Sequence, residues 1–96
     1  MLRLKNADIS AIAAWELVNQ QANVETTVCA ILDSGIDYEH PDLQENMWKN
    51  LPEFNGEAGV DDDGNGKIDD IYGYDFYDDD NKSKDDSGHG THIAVT

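Results

Sequence analysis

Basic residues are scarce in this 96-residue chain: six Lys and Arg stand against 21 Asp and Glu, giving a net charge of −15 and a pI near 4.1. A surface this acidic is repelled by phosphate backbones and anionic membranes. That excludes sequence-independent nucleic-acid binding and points to cations or basic segments as electrostatic partners. Long apolar runs are missing too. The longest, VCAIL at residues 28–32, is far short of the roughly 20 residues that cross a bilayer, so no membrane span is expected. The opening MLRLKNADIS has no apolar stretch ahead of a small-residue cleavage site and reads as lacking a signal peptide. One cysteine, Cys29, cannot form an internal disulfide. Set in an apolar run without a basic neighbour to activate it, it reads as a small buried hydrophobe. No internal repeat is visible, and the length allows one domain at most.

What is present is uneven. Residues 61–86 hold eleven Asp against three Lys, which places eight of the fifteen net negative charges in little more than a quarter of the chain. Ahead of that segment, Ala11, Ala14, Trp15 and Val18 recur at helical spacing behind Ser10, which predicts a capped helix over residues 11–19. Residues 26–32 form a continuous β-branched and apolar run without alternation, the pattern of a strand covered on both faces in a parallel sheet. The run stops at Asp33-Ser34-Gly35, the kind of place beyond a strand's carboxyl end where functional residues gather. His40-Pro41-Asp42-Leu43 reads as a turn leading into a short helical segment toward Trp48, and IYGYDF at residues 71–76 as a short second strand weakened by Gly73. Two strands and one helix do not close a core, so the chain reads as a portion of a larger α/β domain.

The most specific local pattern is DDDGNGKIDD at residues 61–70. Asp61, Asp63 and Asn65 supply side-chain oxygens at positions one, three and five of a calcium loop. Gly66 permits the sharp turn at six, Lys67 offers its carbonyl at seven, and Asp69 stands at nine. Ile68 at position eight would turn inward as an anchor. Position twelve departs from the pattern, since Tyr72 replaces the bidentate Glu; Asp70 is the nearest carboxylate to compensate. A second constellation is Gly88-His89-Gly90-Thr91-His92. Taken alone, two histidines three apart beside Asp85 and Asp86 are compatible with zinc or copper, but no HExxH pattern or further ligand is specified.

Together, the helix with its Ala14-Trp15 pair, DSGID at residues 33–37, HPDL, the acidic insert with IYGYDF, and GHGTHIAVT at residues 88–96 resemble the subtilisin-like serine peptidases, the subtilases. The resemblance spans nearly the whole chain. It implies a three-layer, parallel-sheet subtilisin-like fold, present here as its N-terminal portion over residues 1–96, with a calcium-loop insert at about residues 55–75. It further implies that Asp33 and His89 are two members of a catalytic triad and that calcium is bound by Asp61, Asp63, Asn65, Lys67 and Asp69. His89 should open a helix, with His92 and His40 in structural roles. Val95 stands where the family usually has glycine, and a branched side chain is expected to crowd a closely packed helical turn there.

The family's serine, its oxyanion-hole asparagine and most substrate-binding strands are not in this sequence. By resemblance the function is that of a serine endopeptidase acting on protein or peptide substrates outside cells. The partner of this chain is then the C-terminal part of the peptidase domain, and the chain alone is expected to be inactive for want of the nucleophile. The alternative is a non-enzymatic calcium-binding module or pseudoprotease remnant, which a downstream segment of GTSMA type would separate from the enzyme.

Overall fold

The computed structural model describes residues 9–96; most of the N-terminal stretch read for a leader lies outside them. Among the described residues there are three helices, α1 (Ala11–Asn19), α2 (Leu51–Asn55) and α3 (His89–Val95). Among the described residues no helix is long and apolar enough to cross a membrane. The Cα radius of gyration is 17.3 Å over extents of 53 × 35 × 20 Å. A compact chain of this length would have about 12.5 Å.

Helix α1 has the predicted bounds but not the predicted cap. Ser10 adopts left-handed dihedrals (φ 54) without a side-chain cap bond, and the first turn is closed by its carbonyl, which accepts from Ala14 N–H at 3.1 Å. No residue of α1 is buried, and Trp15 is 66% exposed. The apolar stripe is therefore real and uncovered among the described residues.

Both expected strands differ from the structure. Residues 26–32 are non-helical, make no backbone hydrogen bond to another described residue, and leave Leu32 92% exposed; Cys29 is exposed as well. A strand exists only through its ladder, and a lone apolar segment has nothing to pair with or pack upon. Residues 71–76 reduce to one antiparallel bridge, Asp75 to Asp80, with N–H···O distances of 2.8 and 3.1 Å. Ile71 N–H turns back to the Asp69 carbonyl at 2.9 Å, and Gly73 at φ 138 breaks the extension. The segment after Pro41 is likewise a turn rather than a helix, tied by Leu43 and Gln44 N–H groups donating to the His40 carbonyl.

Helix α2 was not legible as such. Pro52 in its first turn supplies the favoured φ where an N–H has no intrahelical partner, and Asn50 precedes it with N–H donated to the Ile71 carbonyl at 2.8 Å. The interior lies here: Asn50 is 7% and Glu53 3% exposed, and Leu43 at 8% is the one buried hydrophobic residue among those described. Tyr38 stacks on Tyr72 with ring centroids 4.6 Å apart, joining the chain after the DSG turn to the end of the acidic loop.

Close packing at Gly35 generates a test. Replacing Gly35 or Gly59 by Ala forces positive φ (109 and 83) on an L side chain, which costs about 1–2 kcal/mol at either site. At Gly35 a Cβ would also meet Ser83 O at 2.7 Å and Asp85 N at 2.9 Å, whereas at Gly59 nothing lies within 4 Å. Gly35→Ala should therefore lower a thermal melting midpoint more than Gly59→Ala, and equal shifts would contradict the packing described.

Candidate functional site

Asp33 and His89, 56 residues apart in sequence, meet directly: Asp33 Oδ1 lies 2.7 Å from His89 Nδ1. Two local features bring them together. The DSG turn holds Asp33 by a bond from Ser34 N–H to the same Oδ1 at 2.7 Å. At the other end, Gly88 at φ 90 turns the chain so that His89 begins α3. Gly90 then lets the helix approach the turn, because a Cβ there would overlap the Gly35 carbonyl oxygen and stand 3.2 Å from Asp33 Cβ. The His89 side chain is 69% exposed while that of Asp33 is 21% exposed, so the ring is accessible and its partner is sheltered. The Ser34 N–H, and next the His89 ring, hold the Asp33 carboxyl below its ordinary value.

His92 lies one turn further along α3, and the His40 ring is occupied locally, accepting from Asp42 N–H at 3.2 Å. Val95 falls in the last turn of α3 at 42% exposure, so the crowding expected of a branched side chain does not arise among the described residues.

The acidic loop is organised by its own carboxylates. Asp61 accepts from Gly64 and Asn65 N–H on Oδ1 (2.8 and 3.1 Å) and from Gly66 N–H on Oδ2 (2.8 Å). Asp63 takes Asn65 N–H on Oδ1, and on Oδ2 the amides of Asn50 (2.8 Å) and Asn65 (3.2 Å). The Asn50 amide is the main reason the Asp63 carboxyl is held below the ordinary range. Asn65 Oδ1 accepts from Lys67 N–H at 2.7 Å, and Asp69, at φ 55, turns Oδ2 to Gly59 N–H at 2.8 Å.

Sequence reasoning missed Glu53, the most buried acid. Its Oε1 accepts from Asp62 and Asp63 N–H at 2.7 and 3.1 Å, and its Oε2 from Asp69 N–H at 3.0 Å. Carboxylate oxygens of Glu53, Asp61 and Asp63 lie within 4.8 Å of one another, whereas the Asp69 carboxylate is outside that group. No spacing in the sequence marks it, since it is a single acid in the first turn of a short helix ahead of the loop. Asp85 was also passed over as a mere neighbour of the histidines, although Asp-x-Ser-Gly is a sequence in which a carboxylate folds back on the following N–H groups.

The Subtilase family profile matches residues 25–96. Subtilisin-like protease 1 of Plasmodium falciparum (isolate 3D7) is 48% identical over 79 residues, covering 82% of this chain and 11% of that protein. Its counterpart in Plasmodium berghei (strain Anka) is 51% identical over 81 residues, covering 84% of this chain and 13% of that protein. A thermophilic serine proteinase of Bacillus sp. (strain AK1) is 33% identical over 81 residues, covering 84% and 14%. The chain belongs to the subtilase family. It spans between a tenth and a seventh of the length of these relatives.

The Asp33 carboxyl yields a pH test. Its folded value is depressed below the ordinary 3.8, so its contribution to stability is fully present above 3.8 and is lost as pH falls through the lowered folded value. Carbon-13 NMR of the Asp33 carboxyl should give a midpoint below 3.8; a midpoint at or above 3.8 would contradict the pairing.

Proposed function

We propose that this chain supplies the acid and the base of a subtilisin-like serine endopeptidase, with the serine hydroxyl provided from outside residues 1–96. The observation that carries this reading is the 2.7 Å contact between Asp33 Oδ1 and His89 Nδ1 in a member of the subtilase family. A neutral ring that donates Nδ1–H to Asp33 keeps Nε2 as an acceptor for a hydroxyl proton. As that proton moves to Nε2, the serine oxygen bonds to the scissile carbonyl carbon. The C–N bond breaks when Nε2 returns the proton to the leaving amine, and water repeats the sequence to release the acyl group. Asp33 stays ionised throughout and stabilises the imidazolium. The substrate class is protein or peptide.

In this reading residues 1–96 are the N-terminal portion of a three-layer catalytic domain. Residues 26–32 pair as a strand within its parallel sheet, which puts Asp33 at a strand's carboxyl end.

The acidic loop is proposed to hold calcium through Asp61, Asp63, Asn65, the Lys67 carbonyl and Asp69, with Glu53 close to the first two. All are hard oxygen donors, the set that suits calcium rather than a thiophilic metal. The ion would neutralise converging carboxylates and stiffen the loop. Without a twelfth-position Glu the site fits calcium at the levels found outside cells, in keeping with an extracellular location.

Peptide hydrolysis tests the catalytic assignment. Residues 1–96 alone should not cleave a fluorogenic peptide, whereas the same residues joined to the serine-bearing remainder of a subtilase domain should. His89→Ala in the joined protein should lower turnover by roughly 10⁴-fold or more, in line with subtilisin, where losing the triad histidine costs about a millionfold. A folded joined protein that is inert, or one indifferent to His89→Ala, would overturn the assignment.

For calcium, isothermal titration at millimolar concentration should show binding that weakens in Asp63→Ala and Glu53→Ala. No heat, or heat unaffected by Asp63→Ala, would refute the site.

A further inference from the structure

We propose that Asp85 is a positioning residue for the Asp33–His89 pair, a clamp that fixes the DSG turn against the first turn of α3. The proposal rests on the catalytic reading of that pair and deepens it. Asp85 hydrogen-bonds to neither Asp33 nor His89; it grips the residues next to them. Its Oδ1 accepts from Ser34 Oγ–H at 2.9 Å and from Ser87 and Gly88 N–H at 3.0 and 2.9 Å. Its Oδ2 accepts from Thr91 Oγ1–H at 2.6 Å and Thr91 N–H at 3.0 Å.

The connections close a ring around the direct contact. Ser34 follows Asp33, and its Oγ accepts from Gly90 N–H at 3.0 Å, beside His89. Thr91 Oγ1 in turn accepts from Asp37 N–H at 2.9 Å, tying the far side of the turn to the helix. The Asp33 to His89 bond and the Gly90 to Ser34 bond join the turn to the helix directly, and Asp85 joins them a third way by holding Ser34 on one oxygen and Thr91 on the other.

The chemistry calls for a carboxylate. Five donors converge on the two oxygens of Asp85, and an amide in its place would aim N–H groups at N–H or O–H donors on one side. The Thr91 hydroxyl and N–H, with the Gly88 N–H and Ser34 hydroxyl, keep the Asp85 carboxyl far below the usual range, so the clamp is charged at neutral pH. Three of the five donors are backbone N–H groups, which hold a fixed geometry without side-chain ordering.

The test reads the His89 ring itself. In calcium buffer, nitrogen-15 NMR of the chain should show a downfield Nδ1–H resonance protected from exchange with water, and Asp33→Asn should abolish it. Asp85→Asn should leave the helical circular dichroism in place while the resonance exchanges about tenfold faster or disappears, the equivalent of losing one charge-assisted hydrogen bond. A wild-type chain without the resonance, or one in which Asp33→Asn leaves it intact, overturns the Asp33–His89 reading itself. Loss in Asp33→Asn with an unaltered resonance in Asp85→Asn overturns the clamp alone. Where Asp85→Asn also loses its helical signal, Ser34→Ala and Thr91→Val decide. Each cuts one arm of the ring, faster exchange in both supports the clamp, and no change in either refutes it.

Discussion

Carboxylate oxygens accepting backbone N–H bonds hold the folded part of this chain together. Glu53 gathers three N–H groups from the loop at residues 62–69, Asp61 gathers three from residues 64–66, and Asp85 three from residues 87–91 around the start of α3. A charged acceptor makes each such bond roughly twice as strong as a neutral one. The donors come in runs because the loops are rich in Gly, Asn and Asp, whose backbones turn tightly and leave N–H groups without ladder or helix partners. With Leu43 the one buried hydrophobic residue among those described, these polar hubs do locally what a core does elsewhere.

The same device concentrates negative charge, and three of the five lysines fall within the acidic stretch at residues 61–86. Lys67 pairs with Asp79 at 3.1 Å and sits 4.2 Å from the Tyr74 ring centroid, and Asp79 is the main cause of its raised pKa. Lys84 reaches both Glu39 and Asp37, the latter at 3.5 Å. Exposed ion pairs contribute little to stability singly, so their effect is one of register. Lys84 lies between Ser83, whose carbonyl accepts from Ile36 N–H at 3.2 Å, and Asp85, whose carboxylate holds Ser34. The segment at residues 83–85 is thus aligned along the DSG turn, and that alignment delivers Asp85 to the place where the turn and α3 meet.

What was legible in the sequence follows from this physics. The bounds of α1 depend on near neighbours at helical spacing and could be read directly, whereas the start of α3 at His89 was expected through the resemblance. The meeting of Asp33 with His89 was legible only through resemblance, because no local pattern joins residues 56 apart. Residues 26–32 and 71–76 read as strands yet form no ladder among the described residues, for a physical reason: apolar, β-branched composition records what a segment would do beside a ladder partner, not whether one is at hand. Glu53 escaped because its role is to receive N–H groups from a loop that begins eight residues later, and single acids in short helices carry no spacing to read. Asn50 escaped for the same reason, its side-chain amide bridging Asp63 and Asp70 at 2.8 and 3.0 Å.

The division between polar hubs and uncovered apolar surface bears on where stability and precision come from. Trp15, Leu17, Val18, Val24, Val28 and Leu32 are between 45% and 92% exposed. At about 1.5–3 kcal/mol for each large apolar side chain taken out of water, covering them would contribute on the order of 10 kcal/mol, comparable to the whole stability of a small domain. In the sheet arrangement proposed for the family fold, that energy would come from layers packed on residues 11–32, on one side of Asp33. The bonds that aim Asp33 at His89 come from the other side, through Ser34, Asp85 and Thr91. Apolar burial is non-directional and tolerates sliding by fractions of an ångström, whereas five convergent hydrogen bonds do not. The two contributions are therefore complementary: the sheet would supply the free energy that keeps Asp33 in place, and the carboxylate ring supplies the geometry that makes its place a useful one.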